Sequence, residues 1–297
     1  MYWNSLNEQL KAQYGTKVYK LSLSSGCSCP NRDGTLGRRG CIFCDGAGAF
    51  AAAGDVSRQL EEAKARVAAK TGADPKYIAY FQSFTNTYAP AETLRPLFTA
   101  AMAPAEVVAL SVATRPDCLS PEILALLGEL NRVKPVWVEL GLQTIHPETA
   151  RWMRRGYELP VYDEAVRKLK AIGVTVIVHQ ILELPGETAE MMEATTRYIG
   201  ASGADGVKFH LLHVLRGTDL AAAWERGEVP SPDLDTYIDH LERCVRALPR
   251  QVVIHRLTGD GAKRDLLSPL WSGDKKRVLN AIHQAFRRDD VEQGSRA

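Results

Sequence analysis

The residues best suited to chemistry are four cysteines within 18 positions of one another, Cys27, Cys29, Cys41 and Cys44. Thiols at this density are metal ligands far more often than packing residues. Cys29, Cys41 and Cys44 have the spacing C-x11-C-x2-C. Three thiolates suit an iron–sulfur cluster in which one iron keeps no protein ligand. Including Cys27 gives four thiolates, which suit a closed structural zinc site. The spacing alone leaves both open.

Length and composition indicate a folded chain with a sizeable core. The chain has 297 residues, of which 45% are hydrophobic, so global disorder is excluded. It contains no run of about 18 apolar residues and no basic-then-apolar leader. We therefore expect a cytoplasmic protein with no membrane segment. In such a reducing compartment, Cys118 and Cys244 are expected to be packed thiols, not disulfide partners.

The net charge is close to zero. Subtracting 35 acidic from 37 basic residues gives +2. This value does not indicate a protein that binds nucleic acid through its overall charge, although a local basic face remains compatible with it.

Alternating elements must position the cysteines. Short β-branched runs predict six strands, and amphipathic runs between them predict helices. The predicted strands are 17–24, 77–82, 107–115, 136–144, 174–183 and 206–214. The predicted helices are 57–70, 91–101, 121–131, 161–172 and 188–201, with Ser120 and Thr188 as capping hydroxyls. Six such units with short connections predict a parallel sheet, either doubly wound or a barrel.

Strand polarity favours the barrel. In the fourth strand, Trp137, Glu139, Gly141 and Gln143 share one face, and aliphatic residues share the other. A complete eight-stranded barrel fills its interior with bulky aliphatic residues. A polar interior therefore predicts a ligand-holding, partial (β/α)6 TIM-like barrel.

The alternation of strands and helices stops near residue 218. Beyond it the sequence predicts helices at 220–226, 234–248 and 277–288 and one strand at 251–257. We interpret residues 1–218 as the core, with a cysteine loop at 26–54. Residues 219–297 are interpreted as an α+β extension that closes over the barrel.

An ordered set of motifs resembles the radical S-adenosylmethionine (SAM) enzymes. The motifs are GCSCPNRDGT at 26–35, GCIFC at 40–44, TRPD at 114–117, VELGLQ at 138–143, RRGY at 154–157, LPGET at 184–188, KFHLLH at 208–213 and GT at 217–218. Each is weak alone, but their order is specific. The chain is similar to the bacterial YtqA/YhcC-type group and to the radical-SAM half of the elongator catalytic subunit.

The resemblance implies that Cys29, Cys41 and Cys44 hold a [4Fe-4S] cluster, that SAM chelates its fourth iron, and that Cys27 is not a ligand. The SAM contacts it implies are Ser83, Thr85, Gln143, Arg155 and His179. Lys208, His210 and His255 are the predicted substrate contacts. Glu183 departs from the family pattern, because a glycine usually precedes the Leu-Pro-Gly sequence there.

The resemblance also implies a function. The expected substrate is the C5 side chain of the tRNA wobble uridine, with a carboxymethylaminomethyl group cleaved toward aminomethyl. The implied partners are the anticodon region of tRNA and a flavodoxin- or ferredoxin-type electron donor. The near-neutral charge leaves a small-molecule substrate open. An alternative from another class is a zinc-bound structural or binding protein.

Overall fold

The computed structural model describes residues 2–45, 55–82, 84–259, 261 and 263–297. The described strands are β1 (Val18–Leu23), β2 (Lys76–Phe81), β3 (Val107–Thr114), β4 (Val136–Gln143), β5 (Thr175–Leu182), β6 (Gly206–Leu211), β7 (Val214–Leu215), β8 (Val253–Arg256) and β9 (Leu266–Ser268). The described helices are α1 (Leu6–Tyr14), α2 (Pro30–Asp33), α3 (Val56–Val67), α4 (Ala91–Met102), α5 (Pro121–Asn131), α6 (Pro147–Trp152), α7 (Leu159–Ala171), α8 (Ala189–Ala201), α9 (Asp219–Glu225), α10 (Leu234–Ala247) and α11 (Lys275–Arg288).

The main sheet is parallel and singly wound. Its order is β1-β2-β3-β4-β5-β6-β8, so neighbouring strands follow the order of the chain, with β7 left out of this sheet. Because such crossovers share one hand, the helices between the strands lie on one side and the sheet curls into a half-barrel. The predicted partial (β/α)6 TIM-like barrel is confirmed, and the doubly wound alternative, in which the strand order reverses, is wrong.

The two faces of the sheet have different chemistry. On β4, Val138 and Leu140 are fully buried in the main hydrophobic core, toward the helices. Glu139 lies between them and points into the barrel, where Ser111 of β3 donates a hydrogen bond to it. The period-2 alternation of the sequence therefore sets which residues line the interior.

Helix α1 covers the amino-terminal end of the barrel. Its Leu10 is buried with Ile78 and Ala109, and Trp137 packs against this group. The helix contacts both β1 and β8, the two edge strands of the curled sheet. These apolar residues close the amino-terminal end of the barrel and form its floor. Ligands can therefore enter only from the opposite end of the described barrel.

The C-terminal segment is more closely integrated than the sequence indicated. Its strand β8 pairs with β6 and becomes the seventh parallel strand of the main sheet. This pairing satisfies the backbone groups that β6 would otherwise leave open at its edge. The short pair β7–β9 is antiparallel and lies apart from the main sheet. The division of the chain at residue 218 stays a prediction.

Two helix starts read from the sequence are confirmed. The side chain of Ser120 accepts from the backbone N–H of Ile123 at the start of α5. Thr188 accepts from Met191 at the start of α8. Each hydroxyl satisfies a backbone donor that the first turn of a helix leaves unpaired.

No helix within the described ranges is both long and apolar enough to cross a bilayer. The cytoplasmic location stays a prediction.

Candidate functional site

The cysteine loop is fixed by polar contacts with its surroundings. Asn31 donates from Nδ2 to the backbone oxygen of Arg154 at 2.7 Å. Arg32 donates from Nη2 to the backbone oxygen of Cys44 at 2.6 Å. These bonds hold the two halves of the C-x11-C-x2-C segment together and attach it to the turn that follows α6.

Two glycines permit this close approach. Gly40 has φ +73°, and a Cβ atom there would lie 2.9 Å from Nε of Arg32. Gly156 has φ +81°, and a Cβ atom there would lie 2.8 Å from Oδ1 of Asn31. A side chain at either position would push the loop away from the barrel.

Cys29, Cys41 and Cys44 line one cavity at the carboxyl ends of the strands, which we call the mouth. Ligands of parallel α/β folds bind at this end. Cys27 instead packs against the hydrophobic core, where burial raises the pKa of its thiol. The three cysteines predicted as cluster ligands are therefore together, and the fourth is apart from them.

The mouth fits an iron–sulfur cluster. Its three cysteines match the three protein ligands of a [4Fe-4S] cluster in which each thiolate binds a different iron. Burial raises the pKa of Cys41 to about 11, although a hydrogen bond from Asn31 opposes this. Metal bonds would supply the stabilisation that the thiolates need, and Arg115 places positive charge near Cys29 and Cys41.

The predicted SAM contacts that the structure describes also line the mouth, namely Thr85, Gln143, Arg155 and His179. Ser83 lies outside the described residues. Gln143 has φ +66° at an irregularity in the pairing of β4 with β5. Residues other than glycine hold such a conformation where the surroundings impose it, commonly at functional sites. The roles of these four residues stay predictions.

Arg155 is held by backbone carbonyls. Its Nε donates to Tyr157 at 3.1 Å, and its Nη1 donates to Leu142 at 3.3 Å and to Thr144 at 2.7 Å. The guanidinium thus holds together the turn after β4. These three hydrogen bonds use Nε and Nη1 and do not involve Nη2.

A second cluster of polar side chains lies deeper in the barrel, at the middle of the strands, and we call this cluster the chamber. Its members are Lys20, Tyr80, Glu139, His179, Lys208, His210, His255 and Arg256. Glu139 is its centre and is 0% exposed. Oε1 accepts from Lys20 at 2.8 Å and from Ser111 at 2.8 Å, and Oε2 accepts from His179 at 2.8 Å and from Lys208.

These contacts set the protonation states in the chamber. Burial alone would raise the pKa of Glu139, but Lys20, Lys208 and the His179 hydrogen bond hold it well below its usual value. Burial lowers the pKa of His179 to about 4, against the opposite effect of Glu139. At neutral pH the site therefore combines an ionised carboxylate with a neutral imidazole.

His210 carries a donor that the described residues do not satisfy. Arg256 approaches its Nδ1 at 2.7 Å, and since arginine only donates, Nδ1 must accept. The ring proton is therefore on Nε2, which is buried without a partner in the described part of the chain. Leaving such a donor unpaired costs about 1–3 kcal/mol.

The other two predicted substrate residues also lie in the chamber. Lys208 bonds to Glu139 and donates to the Tyr80 hydroxyl at 3.1 Å. His255 lies over Gly206, where a Cβ atom would be 2.7 Å from its Nε2, and its ring is 5.5 Å from that of Trp137. His210 is near the mouth, because its ring centroid is 4.7 Å from that of His179.

The structure explains the unusual residue Glu183. It has φ +64°, which glycine adopts at little cost and other residues do not. Its Oε1 lies 2.6 Å from Nδ1 of His240 on α10. The positive φ at this position accounts for the glycine that the family usually has there. The carboxylate of Glu183 pairs with His240, which lies outside the mouth.

Sequence reasoning missed four residues at these sites. Arg32 and Arg115 line the mouth, and Lys20 and Tyr80 bond or stack within the chamber. Arg32 and Arg115 belong to quoted motifs, which could have identified them. Lys20 and Tyr80 gave no signal beyond their inward position on β1 and β2.

The chain is similar to several known proteins. Residues 33–199 match the Radical SAM superfamily, and residues 204–288 match the Radical_SAM C-terminal domain. YtqA of Bacillus subtilis is 40% identical over 296 residues, covering 98% of this chain and 92% of that protein. YhcC of Escherichia coli K12 is 38% identical over 270 residues, covering 90% and 87%.

More distant likenesses cover part of longer proteins. A tRNA uridine(34) acetyltransferase of Methanocaldococcus infernus is 30% identical over 156 residues, covering 52% of this chain and 29% of that protein. The structure of Methanocaldococcus infernus Elp3 superposes with a TM-score of 0.69 at 18% identity. This chain, 93% of which is covered, spans 64% of that structure. The structural likeness extends the agreement in fold to the whole half-barrel.

The match to the Radical SAM superfamily covers more than half of the chain. The three cysteines predicted to hold the cluster line the mouth together with four of the predicted SAM contacts. The chain therefore belongs to the radical SAM superfamily.

Proposed function

We propose that this radical SAM enzyme acts on the C5 side chain of the tRNA wobble uridine and cleaves a carboxymethylaminomethyl group to aminomethyl. The observation that carries the proposal is the likeness to a protein named for uridine 34 of tRNA over half of this chain. The chain's own residues agree with an anionic side chain as substrate, because Lys20 and Lys208 share a single carboxylate inside the barrel.

The proposed reaction is a radical cleavage of a C–N bond. When bound, the cluster and SAM supply a 5′-deoxyadenosyl radical. This radical would take a hydrogen atom from the carbon between the amine and the carboxylate and become 5′-deoxyadenosine. The substrate radical would then lose one electron, which the oxidised cluster would accept, and its nitrogen would lose one proton, which leaves an imine. Water hydrolyses the resulting imine to the aminomethyl arm and glyoxylate. The proposed external reductant is a flavodoxin- or ferredoxin-type protein.

The experiment is anaerobic turnover of the cluster-loaded enzyme with SAM, reductant and tRNA that carries the carboxymethylaminomethyl group. We expect aminomethyluridine, glyoxylate and 5′-deoxyadenosine in equal amounts, measured by mass spectrometry. The control is the same tRNA without the modification. The proposal is wrong if the modified tRNA neither changes nor accelerates formation of 5′-deoxyadenosine.

A small-molecule substrate is the second candidate, and the net charge of +2 favours it. Binding of tRNA at increasing salt separates the two. A tRNA enzyme should lose affinity steeply as salt rises, because phosphate contacts release counterions. An enzyme for a small substrate should retain no tRNA at physiological salt.

A further inference from the structure

The chamber directly adjoins the mouth. Glu139, His179 and Tyr80 belong to both, since they line the mouth and bond or stack with the chamber residues. His210 lies immediately behind His179, with 4.7 Å between their ring centroids. A substrate arm that passes the mouth toward the barrel floor would therefore meet His210 and Lys208.

Both side chains offer donors. His210 presents a buried Nε2–H that has no acceptor among the described residues, because Arg256 occupies Nδ1. Lys208 has three N–H groups when protonated, and it donates hydrogen bonds to Glu139 and Tyr80. The two residues share one face of β6, so their side chains project into the same space.

The charges in the chamber favour an anion. Two lysines, Lys20 and Lys208, share the one carboxylate of Glu139. Burial first, and then Lys20 and Arg256, lower the pKa of Lys208 against the opposite effect of Glu139. A bound anion would offset both effects and favour the protonated amine.

We propose that His210 and Lys208 form a carboxylate-binding subsite that holds the carboxylate of the substrate's carboxymethyl arm. This assignment rests on the proposed function for the identity of the arm, but the presence of the subsite does not. The carboxylate of SAM itself is the other source of the same chemistry. If its terminal carboxylate were bound here, the arm would lie with its reacting carbon toward the mouth. The aminomethyl product lacks that carboxylate and would be released.

The first experiment measures binding without turnover. The probe is N-methylglycine, which reproduces the end of the substrate's carboxymethylaminomethyl arm. Methylamine is the matched probe that lacks a carboxylate. Both are titrated into cluster-loaded, 15N-histidine-labelled enzyme, and the ring nitrogens of His210 are followed by NMR. We expect N-methylglycine alone to shift Nε2. An assigned His210 resonance that does not move, or that moves equally with methylamine, overturns the subsite whatever the true substrate is.

The second experiment identifies whether the bound carboxylate belongs to the substrate or to SAM. Lys208→Met and His210→Phe are compared with exposed controls, Lys168→Met and His283→Phe, for binding of SAM and of 5-carboxymethylaminomethyluridine. We expect the nucleoside to bind about ten- to a hundredfold more weakly to the first pair, with SAM affinity unchanged. Loss of SAM affinity instead would assign the carboxylate to SAM and overturn the substrate role. Unchanged nucleoside binding would leave these residues a structural role only.

Discussion

The mouth and the chamber occupy neighbouring levels of one barrel, but their polar groups are held in different ways. The mouth gathers Cys29, Cys41 and Cys44, and for Cys41 burial raises the pKa and opposes ionisation. The chamber surrounds Glu139 with four donors and keeps it ionised. The mouth therefore depends on a cofactor to stabilise its charges, whereas the chamber stabilises its central charge through the protein's own contacts.

The largest expected effect concerns the mouth. Replacing Cys29, Cys41 and Cys44 together by alanine should abolish visible cluster absorbance and 5′-deoxyadenosine formation, because the cluster loses every protein ligand. The measurement is anaerobic reconstitution followed by spectroscopy and product analysis.

The matched control is Cys27→Ala, which should keep the cluster because Cys27 packs against the core. If Cys27→Ala lost the cluster as completely as the triple variant, a fourth ligand would have to be added to the mouth.

The next effect concerns the chamber. Glu139→Gln keeps the shape of the side chain but leaves the buried Lys208 and the half-buried Lys20 without their carboxylate, which should cost about 3–5 kcal/mol of unfolding free energy. Urea unfolding of the anaerobically loaded protein measures the change.

Glu225→Gln on the exposed surface of α9 is the control and should stay within about 0.5 kcal/mol. A loss of less than about 1 kcal/mol in Glu139→Gln would indicate that the chamber does not rely on this charge, and the contrast with the mouth would fail.

The smallest effect concerns Glu183, which directly follows β5 and pairs with His240 of α10. Both Glu183→Gly and Glu183→Ala remove the contact with His240, but only alanine retains the strain of φ +64°. The glycine variant should therefore be more stable than the alanine variant by about 1 kcal/mol.

Glu164 in the middle of α7 provides the opposite control, because glycine there should be less stable than alanine by about 1 kcal/mol. Equal stabilities of the two Glu183 variants, measured by urea unfolding, would contradict the backbone explanation.

Local patterns in the sequence determined much of this protein. The spacing of Cys29, Cys41 and Cys44 predicted a shared site, and these cysteines line one cavity. The alternation around Glu139 indicated a polar barrel interior. Ser120 and Thr188 marked helix starts correctly. Each of these features depends on residues a few positions apart, where helix and strand periodicity fixes the geometry.

Only the tertiary structure decided which distant residues meet. Strand β8 joins the main sheet through pairing with β6, and the curl of that sheet brings Lys20 of β1 within hydrogen-bonding distance of Glu139 on β4. The contact of Arg256 with His210 determines which nitrogen of that ring carries the proton. Sequence periodicity gives the direction in which a side chain points, but distances across a barrel depend on how far the sheet curls, which the packing of every strand sets together.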